Sequence, residues 1–357
     1  MGLNSGNPTL EDVGGWPTIL GKLTARGDLT GVEAAAAFDE ILTGAASPVQ
    51  IAAFVSALRT KGETIEEMVA LVGAMRARAE RVEIPDISDV IDTCGTGGDR
   101  SGSINVSTIA ALVVAGGGTR VCKHGGRAAS SMAGSADVLE GLGVAIDLGP
   151  VGVARCLAET GIGFCFAPRF HSAMRHAVPV RRELRIPTVF NFLGPLANPA
   201  FVRRQVVGVG DPSMAERMAG VLEANGALHA MVVYGHDGLD ELSTAAPSTV
   251  IEIQASERRT YEVDPAELGL EPCGRDALAG GDAATNAAAV RDILAGEAGP
   301  RRDVVLLNAA AGFVVAGRVP DLAAGIELAR VTVDSGAAKA ALAHFVESSQ
   351  KAAAEGL

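Results

Sequence analysis

The 357-residue sequence predicts an α/β protein, a small all-helical unit followed by a larger domain with a central, mostly parallel sheet. Three observations carry that prediction. The first 85 or so residues hold three helix-start signals in succession. From Ile84-Pro85 onward, short apolar runs alternate with helical stretches. The composition, 48% hydrophobic with 44 glycines and only 4% aromatic residues, suits an Ala/Gly/Val-rich globular chain and excludes disordered and fibrous classes.

In the helical unit, Thr30-Gly31-Val32-Glu33, Ser47-Pro48-Val49-Gln50 and Thr64-Ile65-Glu66-Glu67 each place a hydroxyl residue three positions before Glu or Gln. That spacing lets the two side chains satisfy each other's backbone N–H groups at a helix start. Pro48 falls at the first helical position, where its missing N–H costs nothing. Behind the caps, Ile51, Phe54, Val55 and Leu58, then Ile65, Met68, Val69 and Val72, recur at helical spacing. The spacing predicts helices through residue 85.

Beyond it, the runs Val90-Ile91, Arg120-Val121-Cys122, Gly163-Phe164-Cys165-Phe166, Val206-Val207-Gly208-Val209 and Met231-Val232-Val233-Tyr234 read as strands. Residues 107–116, 135–142, 150–160 and 213–224 read as the helices between them. This alternation implies a parallel sheet. Residues 249–263 read instead as a β-hairpin, and the chain returns to helices from 282.

A formal charge of −12 argues against a sequence-independent nucleic-acid binder, which needs a basic face to displace phosphate counterions. Cys94, Cys122, Cys156, Cys165 and Cys273 have no CxxC spacing and read as reduced core thiols. No apolar run approaches the ~18–20 residues of a membrane span and no signal peptide is evident, so the cytoplasm is the expected location.

Four stretches carry chemistry. Residues 92–108, DTCGTGGDRSGSINVST, place Gly95, Gly97, Gly98 and Asp99 between a strand and a helix. Glycines there leave backbone N–H groups free to face an anion, and the following helix turns its positive end the same way. Read without context, the glycines are equally a tight turn. Residues 123–143 open with Lys123, His124 and Arg127 at a second strand end and continue through Ser130, Ser131 and Ser135. Two such loops at neighbouring strand ends are where an α/β sheet holds phosphates. Residues 167–199 carry His171, Arg175, His176, Arg181 and Arg182, most of them read as a solvated face, with one arginine available to clamp a carboxylate. Residues 235–244 end in the adjacent acids Asp240 and Glu241, hard oxygen ligands that suit Mg²⁺ shared with a polyphosphate.

These motifs, GTGGD with N-x-S-T, KHG-x-R with SS and GSAD, PVRREL with FNFLGPLANP, and GHDGLDE, in this order over nearly the whole chain, resemble the anthranilate phosphoribosyltransferase family of tryptophan biosynthesis. The resemblance implies a nucleoside phosphorylase/phosphoribosyltransferase-like fold with a helical domain over 1–85, joined by an inserted segment at about 170–190, and an α/β domain over 86–357. It implies a homodimer and two substrates, phosphoribosyl pyrophosphate (PRPP) and anthranilate, with no nucleic-acid or membrane partner.

By the same resemblance, PRPP lies across Gly95, Gly98, Asp99, Ser103, Asn105, Ser107 and Thr108, then Lys123, His124, Gly125, Gly126, Arg127, Ser130, Ser131 and Ser135. Ser107, Asp240 and Glu241 hold Mg²⁺. Arg181 takes the carboxylate of anthranilate, with His171, Gly95 and Gly126 along its path. No residue is assigned as general base, because the attacking amine becomes strongly acidic only once the new C–N bond forms.

Two positions depart from the family: Gly126 stands where Asn is usual and Arg100 where Gly is. The first removes an amide beside the aromatic substrate, so selectivity or efficiency is expected to differ. The same chemistry on a related aromatic acid is one alternative reading. A pyrimidine-nucleoside phosphorylase is another, but its Lys-x-Ser-x-x-Gly-Gly is absent. A nucleic-acid-binding relative would need a basic groove and loss of the acidic pair.

Overall fold

The computed structural model describes residues 8–99, 101–128, 132–255 and 257–357, and its chain divides into two units, Met1–Glu80 with His171–Ala197, and Arg81–Phe170 with Asn198–Leu357.

The helical unit contains helices Gly15–Thr24, Gly31–Thr43, Pro48–Lys61 and Ile65–Ala77. Each predicted start is a complete capping box. The Thr30, Ser47 and Thr64 hydroxyls accept from the N–H groups of Glu33, Gln50 and Glu67, whose side chains accept in return at 2.7, 2.7 and 2.8 Å. Such caps contribute ~1 kcal/mol each. The helix at 15–24 has no hydroxyl cap; Gly14, at φ 89°, turns the chain into it. Ile65, which the periodicity puts on the buried face, is exposed, and that face is Met68, Leu71, Val72 and Met75. The fourth helix ends at Ala77, and residues 80–84 run without helix into the second unit. Phe190 of the inserted segment packs against Phe38 with ring centroids 5.8 Å apart.

The α/β unit is built on one seven-stranded sheet. Its strands are β1 Ile91–Gly95, β2 Val121–Gly125, β3 Ile162–Phe166, β4 Arg204–Gly208, β5 His229–Gly235, β6 Ser248–Gln254 and β7 Glu257–Val263, in the order β3-β2-β1-β4-β5-β6-β7. The first five are parallel, and the β6–β7 hairpin closes one edge antiparallel. The parallel strands are short and nearly continuously apolar because helices cover both faces. Helix Val106–Gly116 is buried from Thr108 to Ala115, and helix Pro300–Val315 from Val304 to Val315.

After β1 the chain pairs toward β2 on one side, while β4 pairs on the other, so the carboxyl ends of β1 and β4 form the point where strand order reverses. All five cysteines are free thiols, four of them buried. Among the described residues no helix is long and apolar enough to cross a membrane.

Candidate active site

The loop leaving β1 is held open by its own backbone and pinned from beneath. Gly97 and Gly98 adopt φ of 64° and 81°, the left-handed region that side chains disfavour. Thr96 N–H donates to Gly208 O at 2.9 Å, and Gly210 N–H to Thr96 Oγ1 at 2.9 Å, which stitches the ends of β1 and β4 together. From the loop after β5, Asp240 Oδ2 accepts from Gly97 N–H at 2.7 Å, and Glu241 Oε1 accepts from Ser107 N–H at 3.1 Å. The acidic pair thus sits under the glycine loop and the first turn of helix 106–116.

That pair approaches because two strand ends are glycine. A Cβ on Gly208 would lie 1.6 Å from Asp240 O, and one on Gly95 would lie 2.6 Å from Asp240 Oδ2. Both acids are almost fully buried. Burial pushes the Asp240 carboxyl far above its ordinary value, with Glu241 and Asp99 adding to the effect. Burial likewise carries Glu241 up to about 7 against the opposing pull of the Lys123 ammonium. Crowded carboxylates with little solvent are an electrostatic liability that a cation relieves.

Asp99 Oδ2 is buried with no hydrogen-bond partner among the described residues, while its Oδ1 accepts from Ser101 N–H at 3.2 Å. Among the described residues no three His, Cys, Asp or Glu side chains stand together to enclose a metal. The adjacent buried carboxylates of Asp240 and Glu241 fit Mg²⁺, which takes one or two carboxylates and completes its shell with water and substrate phosphates.

Lys123 and His124, whose residue types favour the surface, are only 2% and 5% exposed. Lys123 Nζ donates to Thr93 O and lies 3.4 Å from Ser107 Oγ, so its charge acts from within the sheet. His124 N–H donates to Asp92 Oδ1 at 3.2 Å. Thr108 Oγ1 donates to Ser135 Oγ at 3.0 Å, which joins the two helix starts behind the glycine loops. Ser101 Oγ donates to Ser103 Oγ at 3.0 Å, and Ser103 bridges to Ala279.

Asn105 has its side chain engaged within the protein, its Nδ2 donating to Ala133 O at 3.0 Å and its Oδ1 accepting from Asn286 at 2.8 Å. Arg127 is exposed and ion-paired to Asp137 and Glu140 at 2.8 and 2.9 Å, its guanidinium over the Phe166 ring. A Cβ on Gly125 would press on Phe164 and Ser135 at 3.1 Å, whereas one on Gly126 would meet, among the described residues, only Ala167 Cβ at 3.9 Å. Arg100, Ser130 and Ser131 lie outside the described residues.

His171 and Arg181 belong to the helical unit. Burial takes His171 down to about 4, with backbone hydrogen bonds at Ala197 and Met75 opposing, so its imidazole is neutral near pH 7. Arg181 lies over the Phe190 ring at 5.5 Å and pairs with no carboxylate among the described residues. Burial lowers its pKa. A part-desolvated guanidinium without an acid is suited to an anionic group on a ligand.

Sequence reasoning missed Asp92 and Asn198. Asn198 Nδ2 donates to Asp92 Oδ2 at 2.8 Å and to Cys122 O at 2.9 Å, and both side chains are fully buried. An Asp inside an apolar run is the one signal that points to them. A groove of about 390 Å³ beside His229, Glu252 and Arg259 lies at the amino end of β5, away from the glycine loops, and its Glu252 is satisfied by His229, Tyr261 and Arg259.

Residues 87–339 match the model of the glycosyl transferase family a/b domain, and residues 17–79 that of the same family's helical bundle domain. The chain is 54% identical over 321 residues to an anthranilate phosphoribosyltransferase of Roseiflexus castenholzii, covering 89% of this chain and 94% of the relative. It superposes on the crystal structure of anthranilate phosphoribosyltransferase from Thermus thermophilus with a TM-score of 0.88 at 43% identity, covering 93% of this chain and 99% of that one. The Saccharomyces cerevisiae enzyme in complex with PRPP and Mg gives a TM-score of 0.86 at 28% identity, covering 94% and 98%. The same yeast enzyme is also known in complex with 4-fluoroanthranilate.

Proposed function

The chain belongs to the anthranilate phosphoribosyltransferase family, and from that premise we propose how its residues divide the reaction between them. The enzyme transfers the phosphoribosyl group of PRPP to the amine of anthranilate, giving N-(5-phosphoribosyl)anthranilate and pyrophosphate. The observation that carries the reading is the buried Asp240–Glu241 pair bonded beneath the glycine loop.

The backbone N–H groups around Gly95, Gly98 and Asp99, with the start of helix 106–116, take the pyrophosphate end of PRPP. The 123–135 loop takes the rest. Asp240 and Glu241, with the Ser107 hydroxyl, would hold Mg²⁺, which when bound neutralises charge growing on the departing pyrophosphate. The anthranilate nitrogen attacks C1 of the ribose as the bond to pyrophosphate breaks, with inversion. No protein nucleophile or general base is required. Much of the acceleration comes from holding the two substrates in line.

Arg181 holds the anthranilate carboxylate, an assignment supported by its lack of an acidic partner among the described residues. Loss of one charge-assisted hydrogen bond costs ~1.5–3 kcal/mol. Arg181→Ala is therefore expected to raise the KM for anthranilate about 10- to 100-fold and leave that for PRPP near its starting value. An increase confined to PRPP would assign the arginine to the other substrate.

Among the described residues only Ala167 stands within 4 Å of a Cβ at Gly126, so Gly126→Asn, which supplies the amide usual in the motif the chain resembles, is expected to lower the KM for anthranilate about two- to tenfold, the worth of one neutral hydrogen bond. A neutral or harmful outcome means that the pocket is built around glycine. We place the enzyme in the cytoplasm as a homodimer, to be checked by light scattering as a mass about twice 36.2 kDa. The assay for the activity is the decay of anthranilate fluorescence, expected only when PRPP and Mg²⁺ are both present; no decay with all three present contradicts the function.

A further inference from the structure

Residues 278–286 lie outside the four stretches that carry the chemistry, yet they run against the loop leaving β1. Ile104 N–H donates to Leu278 O at 3.0 Å, Gly280 N–H donates to Gly102 O at 2.7 Å, and Ser103 pairs with Ala279 between them. A Cβ on Gly280 would lie 2.8 Å from Ser103 O and 2.6 Å from Asn286 Oδ1, so glycine lets the segment approach both. Helix Ala283–Leu294 then starts at Asp282, whose carboxylate accepts from Thr285 N–H at 2.8 Å. That start puts Asn286 in the helix's first turn, only 2% exposed, where a side-chain amide is costly unless it is bonded.

Its bonds form a relay. Asn286 Oδ1 accepts from Gly281 N–H at 2.7 Å, so its Nδ2 is the end that donates to Asn105 Oδ1 at 2.8 Å. Asn105 Nδ2 donates in turn to Ala133 O at 3.0 Å. A backbone N–H at one end and a backbone carbonyl at the other fix both amide orientations. Asn105 directly precedes helix Val106–Gly116, where an Asn side chain ordinarily accepts from the helix's own N–H groups. It makes no such capping bond. Its side chain spans instead from Asn286 to the loop after β2.

We propose that Asn286 is a positioning residue for the PRPP site: by holding the Asn105 oxygen it turns the Asn105 amide onto Ala133, and so fixes the loop after β1 against the loop after β2. The inference rests on the reading of these two loops as the PRPP site. Without the Asn286 donor, the Asn105 oxygen is drawn back to its own helix start, and the amide loses its hold on Ala133.

The test is a calorimetric titration of PRPP with Mg²⁺ into the full-length protein, paired with steady-state kinetics. Asn286→Ala is expected to raise the Kd and the KM for PRPP about 5- to 50-fold, with the KM for anthranilate at saturating PRPP unchanged. Asn286→Asp keeps the side chain's shape and its bond to Gly281 N–H but has no donor for Asn105, so it should show the same loss. Asn105→Ala should do likewise, and the double variant Asn105→Ala/Asn286→Ala should lose no more than the worse single one, because the two residues act in series. Losses that multiply would mean that Asn286 does not act through Asn105, which overturns the proposal. So would loss of folding in both Asn286 variants, or a fall in kcat with both KM values unchanged, either of which makes the residue merely structural. If the wild type binds no PRPP, the PRPP reading and this one fall together. If it does, and Asn286→Asp binds as tightly, only this proposal falls.

Discussion

Replacing Asp240 by Asn and Glu241 by Gln together is expected to lower kcat/KM about a thousandfold or more, at every Mg²⁺ concentration. The variant keeps the shape of both side chains and loses the charge at the one place where two carboxylates meet the glycine loop. Loss of folding is not the expected cause. Both acids are held above their ordinary range by burial, so the metal-free fold carries them as a burden near neutrality. The sign follows from the raised folded-state value of Glu241: its stabilising contribution is complete below about 4.5 and is lost as pH rises through about 7. The neutral variant, without metal at pH 8, should therefore melt no lower than the wild type. Unchanged kinetics would remove the pair from the site, and a collapsed melting temperature would make the pair structural.

The second large effect is expected at Gly208. A Cβ there would lie 1.6 Å from Asp240 O and 2.6 Å from Asp240 C, and both are backbone atoms that no rotamer change moves aside. Gly208→Ala must displace the loop that carries the acidic pair. It is expected to cost roughly 1–3 kcal/mol of stability through overpacking and to lower kcat/KM at least about a hundredfold. Gly73 is the control, since it lies in helix 65–77 with nothing among the described residues within 4 Å of an added Cβ. Gly73→Ala should stabilise by about 0.5–1 kcal/mol with unchanged turnover. Paired thermal melts and kinetics on the two variants separate a close approach from a general intolerance of alanine.

Much of this fold is written in short-range chemistry. The Thr30, Ser47 and Thr64 caps are legible because each needs only two residues three apart. The parallel strands are legible because burial on both faces makes them short apolar runs. The start of the helix at 15–24 is not, because Gly14 begins it by backbone conformation instead of a side-chain signature.

The site divides the same way. Its glycine loops and acidic pair stand out as local motifs, but the bond from Asp240 to Gly97 spans 143 positions of chain, and that from Asn198 to Asp92 spans 106. Such pairings arise from strand order. Residue type also misleads where the sheet turns a polar side chain inward. Lys123, whose residue type favours the surface, is a buried brace, whereas Asn105, in a loop read as ligand-facing, spends its amide on Ala133 and Asn286.

The most direct test follows both products of the central reaction in one vessel. Purified enzyme with PRPP, Mg²⁺ and anthranilate should consume anthranilate and release pyrophosphate one for one, and both signals should vanish when Mg²⁺ is chelated. Pyrophosphate release at an undiminished rate with anthranilate untouched would contradict the account, as would anthranilate loss that survives chelation.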